Sequence, residues 1–235
     1  MEKDNSAEPK SKLLFVLVNA CTVLNMLLGV AAVFAAPHNV ILAAWLIAAS
    51  VIFDASDGYL ARRWGVSSEF GAQLDSLGDF SSFCLGTGAM MYYAIAGQGA
   101  AAWLCGLAAA LYIVCGAVRL ARYNATTDSL CPPQYFQGLP TTAAACILAA
   151  LVVFGRCNDS VTLAALTCVY GLLMVCTLPY PKLTKMTWIP KWVWFIPFVL
   201  APLCATAVTW ICVATYTLSG GLVWIKQRRS RGTQK

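Results

Sequence analysis

Apolar residues run through the chain in long blocks separated by short polar breaks. One bilayer span needs about 20 consecutive apolar residues, and the first block, Leu13 to Ala36, exceeds that. It is also too long for the apolar region of a signal peptide, about 7–15 residues, so it reads as a retained first span. Residues 1–12 ahead of it are polar, with Lys3, Lys10 and Lys12, and read as a short cytoplasmic tail. Pro37, His38 and Asn39 make a turn, and a second span starts at Val40 and continues into Asp54–Arg63. A third is predicted from Gly71 to Ala96, with Gly97–Gly99 as its exit, and a fourth from Ala100 to Tyr123. A longer connection, Asn124–Pro140, carries Pro132, Pro133 and Pro140. The fifth span covers Thr141–Gly155 and the sixth Ser160–Leu178. After a polar segment with Lys182, Lys185 and Lys191 comes a last apolar stretch, Trp192–Ile225, which is one long span or two short ones.

The predicted fold is therefore all-α: a polytopic transmembrane helical bundle with a six-helix core plus one or two C-terminal spans. Residues 13–225 form one membrane domain, followed by a basic cytoplasmic tail, 226–235.

Composition agrees. Of the 235 residues 60% are hydrophobic and only 11% charged, against roughly 25% charged in a soluble domain. Too few polar residues remain to cover a soluble surface, and disorder would need the opposite bias. The net charge of +6 is a topology signal in such a chain rather than a sign of nucleic-acid binding. With the amino terminus inside and eight spans, 15 of the 16 basic residues fall on one side; with seven spans, 10 of 16 do. The positive-inside rule favours eight. The 11 cysteines are scattered singly and His38 is the only histidine, which argues against zinc or haem.

The acidic residues change the picture. Of ten, four lie at the inner ends of the second and third spans: Asp54, Asp57, Asp75 and Asp79. Ionisable groups there are costly and are functional candidates by default. Asp54 and Asp57 are three apart, on one helical face, followed by the small residues Gly58 and Ala61. Arg62 lies about 80° round the same helix from Asp54. Gly71, Asp75 and Asp79, four apart, share a stripe on the next helix. Antiparallel packing would gather the four carboxylates at the membrane edge. They would not all stay ionised there without cations. Oxygen donors with no histidine suit hard ions such as Mg²⁺ or Mn²⁺, and two such ions form a clamp for phosphoryl chemistry. One carboxylate would also be free to act as a base towards an incoming hydroxyl. The competing reading has the acids merely paired with Arg62, Arg63, Arg119 and Arg122 at helix ends.

The segment from Asp54 to Asp79 reads D-A-S-D-G-Y-L-A-R, eight residues, G-A-Q-L-D-S-L-G-D. It resembles the signature of the CDP-alcohol phosphatidyltransferases, D-x2-D-G-x2-A-R-x8-G-x3-D-x3-D, at every fixed position: Asp54, Asp57, Gly58, Ala61, Arg62, Gly71, Asp75 and Asp79. Asn19, Thr22, Asn25 and Gly29 in the first span resemble the serine-accepting bacterial and archaeal branch of that family. So do Phe70-Gly71, Leu74–Leu77, Arg119–Asn124 and Tyr135–Pro140. Val18 and Phe83–Thr87 depart from that branch, and neither departure removes a carboxylate.

The resemblance implies transfer of a phosphatidyl group from CDP-diacylglycerol to an alcohol, with release of CMP. L-serine is the expected acceptor, giving phosphatidylserine; glycerol 3-phosphate or inositol phosphate is the alternative. By likeness, Asp54, Asp57, Asp75 and Asp79 would ligate two Mg²⁺ or Mn²⁺ ions, with Asp79 also the general base. Asn19, Thr22, Gly58, Arg62 and Ser68 would bind the CDP-lipid, and Arg119, Arg122 and Asn124 the acceptor. For the two arginines, a role as interfacial topology anchors stands beside that. The family further implies a multi-pass protein of a bacterial or archaeal cell membrane, a cytoplasm-facing site, surrounding membrane lipids, and a homodimer. A cation-coupled transporter using the same aspartates is a remote alternative, because no internal repeat is evident.

Overall fold

The computed structural model describes residues 7–66, 68–126, 135–154, 159–177 and 179–181. The expected C-terminal span or spans, the basic residues after Pro181 and the 226–235 tail lie outside the described residues.

Among the described residues six apolar helical units are present, in the expected order. Helix α1 is Ala7–Ala35 and α2 is Val40–Trp64. The third unit is composite: α3, Glu69–Asp79, runs into a π-helical segment, Phe80–Gly86, and then α4, Thr87–Ala96. Helix α5 is Ala102–Thr126, α6 is Thr141–Phe154 and α7 is Ser160–Val175. Helix α1 begins six residues before the predicted span, inside the segment read as a tail. Glu69, which lies between the second and third predicted spans, opens α3. The only strands among the described residues are a short antiparallel pair, β1 Tyr135–Gln137 and β2 Pro179–Pro181, in register Phe136↔Tyr180.

Local chemistry sets the helix ends. Asn39 Oδ1 accepts from the Leu42 N–H at 3.0 Å and starts α2. Ser68 Oγ does the same for Gly71 at 2.9 Å and starts α3, and Asp159 caps Thr162 at the start of α7. Each side-chain oxygen satisfies a backbone donor that the first helical turn leaves over. Gly65 ends α2 in the left-handed region, φ 65°, which glycine enters without a Cβ penalty.

Among the described residues, three helical stretches are long and apolar enough to cross a membrane: Leu13–Ala35, Val40–Trp64 and Ala102–Ala125. Helices α6 and α7, of 14 and 16 residues, reach about 21 and 24 Å at 1.5 Å per residue. That is short of a hydrocarbon core roughly 30 Å thick.

Helix α1 packs along α2, α5 against α7 and α4, and α2 also against α6. On α5 the buried residues Cys105, Ala108, Tyr112, Cys115 and Arg119 recur every three or four positions, while Trp103, Leu107, Val114 and Val118 point outward. An apolar outer face is what a lipid-facing helix requires. Close packing in the interior rests on small residues. A Cβ on Gly29 of α1 would lie 2.5 Å from Ser82 Cα in the π segment, so α1 and the π segment meet backbone to backbone.

Three contacts hold that π segment. Ser82 Oγ donates to the Asn25 carbonyl at 2.7 Å. The Tyr112 hydroxyl donates to the Phe83 carbonyl at 3.0 Å. Gly116 of α5 lets Cys84 approach where any Cβ would collide with its sulfur. An uninterrupted span was expected here. π-helical turns are rare and recur next to functional sites, and this one begins at the residue after Asp79.

Candidate metal and nucleotide site

Helix α2 presents Asp54 and Asp57 one turn apart, and α3 presents Asp75 and Asp79 one turn apart. Packing of the two helices brings carboxylate oxygens of Asp54, Asp57 and Asp75 within 4.8 Å of one another. Asp79 joins through Asp54, since their carboxyl groups lie within hydrogen-bond reach. Two carboxyl groups make that contact only with a proton or a cation between them. Asp57 is the most enclosed of the four by surface exposure, at 3%, and Thr22 of α1 donates its hydroxyl to Asp57 Oδ2 at 2.7 Å.

The donor set fits a hard divalent cation. It is all oxygen, and one oxygen each of Asp75 and Asp79 is buried without a hydrogen-bond partner among the described residues. Buried acceptors of this kind are normally satisfied, and a bound cation would satisfy them.

Of the five residues expected at the nucleotide, Thr22, Gly58 and Arg62 adjoin this cluster, and Asn19 and Ser68 meet at Gly71, one turn before Asp75. Asn19 of α1 and Ser68 at the start of α3 both border Gly71, their oxygens 3.5 and 3.1 Å from where its Cβ would stand. Thr22 is held by Asp57. Gly58 lies under the Arg62 guanidinium, whose terminal nitrogens are 3.7 Å from the missing Cβ. Arg62 is exposed, and its charge acts on Asp57 and Asp75.

The three residues expected at the acceptor separate. Arg119 is 8% exposed, and its Nη1 donates to Thr141 Oγ1 at 2.9 Å. It lies near enough to Asp79 for their charges to interact. Arg122, one turn on, turns to the end of α7 and donates to the carbonyls of Val175 (2.8 Å), Met174 (3.2 Å) and Cys176 (3.4 Å). Those carbonyls are left over by the last helical turn, and a cation there suits the helix dipole. Asn124 is exposed and its Nδ2 donates to Ser76 Oγ at 2.9 Å, tying the end of α5 to α3 beside Asp75.

Two residues near the site were not singled out as site residues from the sequence. In the sequence Thr141 marks only the start of a span. Asn25 was noted for its motif alone; its fully buried amide has no partner among the described residues. A threonine directly after Pro140 at a predicted helix start was the available signal for the first.

Comparison with known proteins agrees with this geometry. A family model described as CDP-alcohol phosphatidyltransferase matches residues 15–218. The chain is 32% identical over 183 residues to a CDP-diacylglycerol–serine O-phosphatidyltransferase of Helicobacter pylori, covering 74% of this chain and 76% of the relative. It is 34% identical over 164 residues to a protein of the same name from Methanocaldococcus jannaschii, covering 68% and 71%. A Mycobacterium tuberculosis protein, also of that name, is 32% identical over 218 residues, covering 86% and 75%. Matched along most of its length, and carrying the gathered aspartates that the family signature requires, the chain belongs to the CDP-alcohol phosphatidyltransferase family.

Proposed function

We propose that this integral membrane protein transfers the phosphatidyl group of CDP-diacylglycerol to the hydroxyl of L-serine, giving phosphatidylserine and CMP. The observation that carries this reading is the Asp54–Asp57–Asp75 cluster, with Asp79 in contact and the charge of an exposed Arg62 acting on Asp57 and Asp75. The names of the relatives support the substrates.

In this reading Arg62 pairs with the pyrophosphate, where its planar fork matches phosphate oxygens. Gly58 lets the nucleotide approach the α2 backbone, and Asn19, Thr22 and Ser68 line the same side. Two Mg²⁺ or Mn²⁺ ions on the four aspartates would neutralise the pyrophosphate and the leaving CMP. Asp79 accepts the proton of the serine hydroxyl. The serine oxygen bonds to the phosphorus that carries diacylglycerol, and the bond from that phosphorus to the bridging oxygen breaks, leaving that oxygen on CMP. Arg119 meets the serine carboxylate. The site faces the cytoplasm at the bilayer edge, where the acyl chains stay in lipid, and the enzyme works as a homodimer.

The engagement of Arg122 with the α7 carbonyls favours serine over a phosphorylated acceptor. A phosphate pocket built on both arginines would compete with that cap.

The test is CMP release by purified protein with CDP-diacylglycerol and Mn²⁺ or Mg²⁺, with serine, glycerol 3-phosphate and inositol phosphate supplied in parallel. Metal-dependent release with serine alone is expected. Release only with a phosphorylated acceptor would overturn the serine assignment, and metal-independent release would overturn the metal site.

A further inference from the structure

We infer that Thr141 is a positioning residue for acceptor selection: its hydroxyl sets the direction of the Arg119 guanidinium, and with it the preference for an acceptor that carries a carboxylate. This rests on the reading of Arg119 as the carboxylate partner of serine.

The geometry begins with burial. Arg119 continues the inward stripe of α5, and Thr141 is 1% exposed. A long cationic side chain in such a place needs a partner to fix its orientation. Among the described residues, Thr141 Oγ1 is the one hydrogen-bond acceptor of Arg119. A guanidinium has five N–H donors in a rigid plane. Fixing one arm on a hydroxyl therefore determines where the rest of the fork points. Asp79 lies within the range of the Arg119 charge. An amino acid bound there would have its carboxylate on Arg119 and its hydroxyl toward Asp79.

Thr141 is itself well anchored. It opens α6 after Pro140. The Leu139 N–H just before it donates to the Leu173 carbonyl at 3.0 Å. Gly138 holds φ 80° against α7, where a Cβ would collide with the Met174 carbonyl. Arg122 grips the same end of α7. The threonine hydroxyl is thus presented to Arg119 from a backbone that α7 keeps in place.

The experiment compares Thr141→Val, which keeps the shape and removes the hydroxyl, with Thr141→Ser, which keeps the hydroxyl. Thr141→Ala serves if the valine variant does not fold. Fold is checked by thermal melting in detergent. Steady-state CMP release is measured against serine, serinamide and CDP-diacylglycerol. Thr141→Val should raise the KM for serine about tenfold, the size of one lost hydrogen bond to a charged group. The KM for CDP-diacylglycerol should stay within about twofold. The selectivity for serine over serinamide should narrow, and Thr141→Ser should restore both properties. Equal losses toward both substrates, or an unchanged serine-to-serinamide ratio in a folded Thr141→Val protein, would overturn the inference. Arg119→Lys is measured alongside. If it raises the serine KM while Thr141→Val does not, only the inference fails. If Arg119→Lys leaves the serine KM unchanged, the acceptor reading itself fails.

Discussion

Thr22 of α1 donates a 2.7 Å hydrogen bond to Asp57 of α2, and through it the first helix reaches directly into the acidic cluster. The carboxylate held in this way has an oxygen within 4.8 Å of carboxylate oxygens of Asp54 and Asp75. Groups that orient a metal ligand typically change metal affinity 10- to 100-fold when removed. Thr22→Val should therefore raise the Mn²⁺ or Mg²⁺ concentration for half-maximal activity by about that factor, with chelator inactivating the variant at correspondingly lower concentration. A metal titration of CMP release checks this, and an unchanged half-maximal concentration would remove Thr22 from the site.

Asp79→Asn should lower turnover by about 10²- to 10⁴-fold, the usual contribution of a positioned base. The amide keeps the size of the side chain, so the protein should still fold. Near-normal CMP release from a folded variant would rule Asp79 out as the proton acceptor.

Gly58→Ala separates stability from activity. The added Cβ would sit 3.7 Å from the Arg62 nitrogens, an ordinary contact. Alanine is also better than glycine inside a helix by about 1 kcal/mol. The melting temperature should hold or rise, while the KM for CDP-diacylglycerol increases because the methyl group meets the incoming nucleotide. A variant with a normal KM would place the nucleotide elsewhere.

Arg122→Gln should lower thermal stability by about 1–3 kcal/mol, since the carbonyls at the end of α7 lose charge-assisted donors. The KM for serine should move little at a temperature where the variant is folded. A selective rise in serine KM with no loss of stability would return Arg122 to the acceptor site.

Asp159 gives a pH signature distant from the chemistry. Thr162 donates both its hydroxyl (2.6 Å) and its backbone N–H (2.9 Å) to Asp159 Oδ2. These bonds hold its carboxyl below the usual carboxylate range. A lowered folded-state value means that the ionised cap stabilises the fold above the unfolded value, about 3.9. That stabilisation is lost as pH falls through the lowered value. Asp159→Ala should melt earlier than the parent at neutral pH, and the gap should close in acid. A gap that persists in acid would mean the charge is not what caps α7.

How much of this could be read from the sequence depends on where the physics is local. Asp54, Asp57, Asp75 and Asp79 were legible because helical spacing alone puts each pair on one face. The long helices α1, α2 and α5 were legible from the length of their apolar runs. The π segment was not, because residues 80–96 are almost all apolar or small and no phase shift leaves a mark in such a run. The β1–β2 pair joins segments more than 40 residues apart in a proline-rich context that reads as turn. Arg119 and Arg122 look alike in sequence, three apart on one helix. Only the packing of α6 and α7 around α5 gives one a threonine and the other a row of carbonyls.

The π segment makes the acidic end of its helix sensitive to residue count rather than residue type. A π turn is an α turn with an extra residue, and one residue corresponds to about 100° of rotation in an α-helix. If residues 80–86 wound as a regular α-helix without losing one, the extra residue would add that rotation between α3 and α4. With α4 fixed by its packing against α5, Asp75 and Asp79 would swing about that angle away from α2. Chain bookkeeping in a segment that supplies no ligand thus decides whether the carboxylates of two helices ever meet.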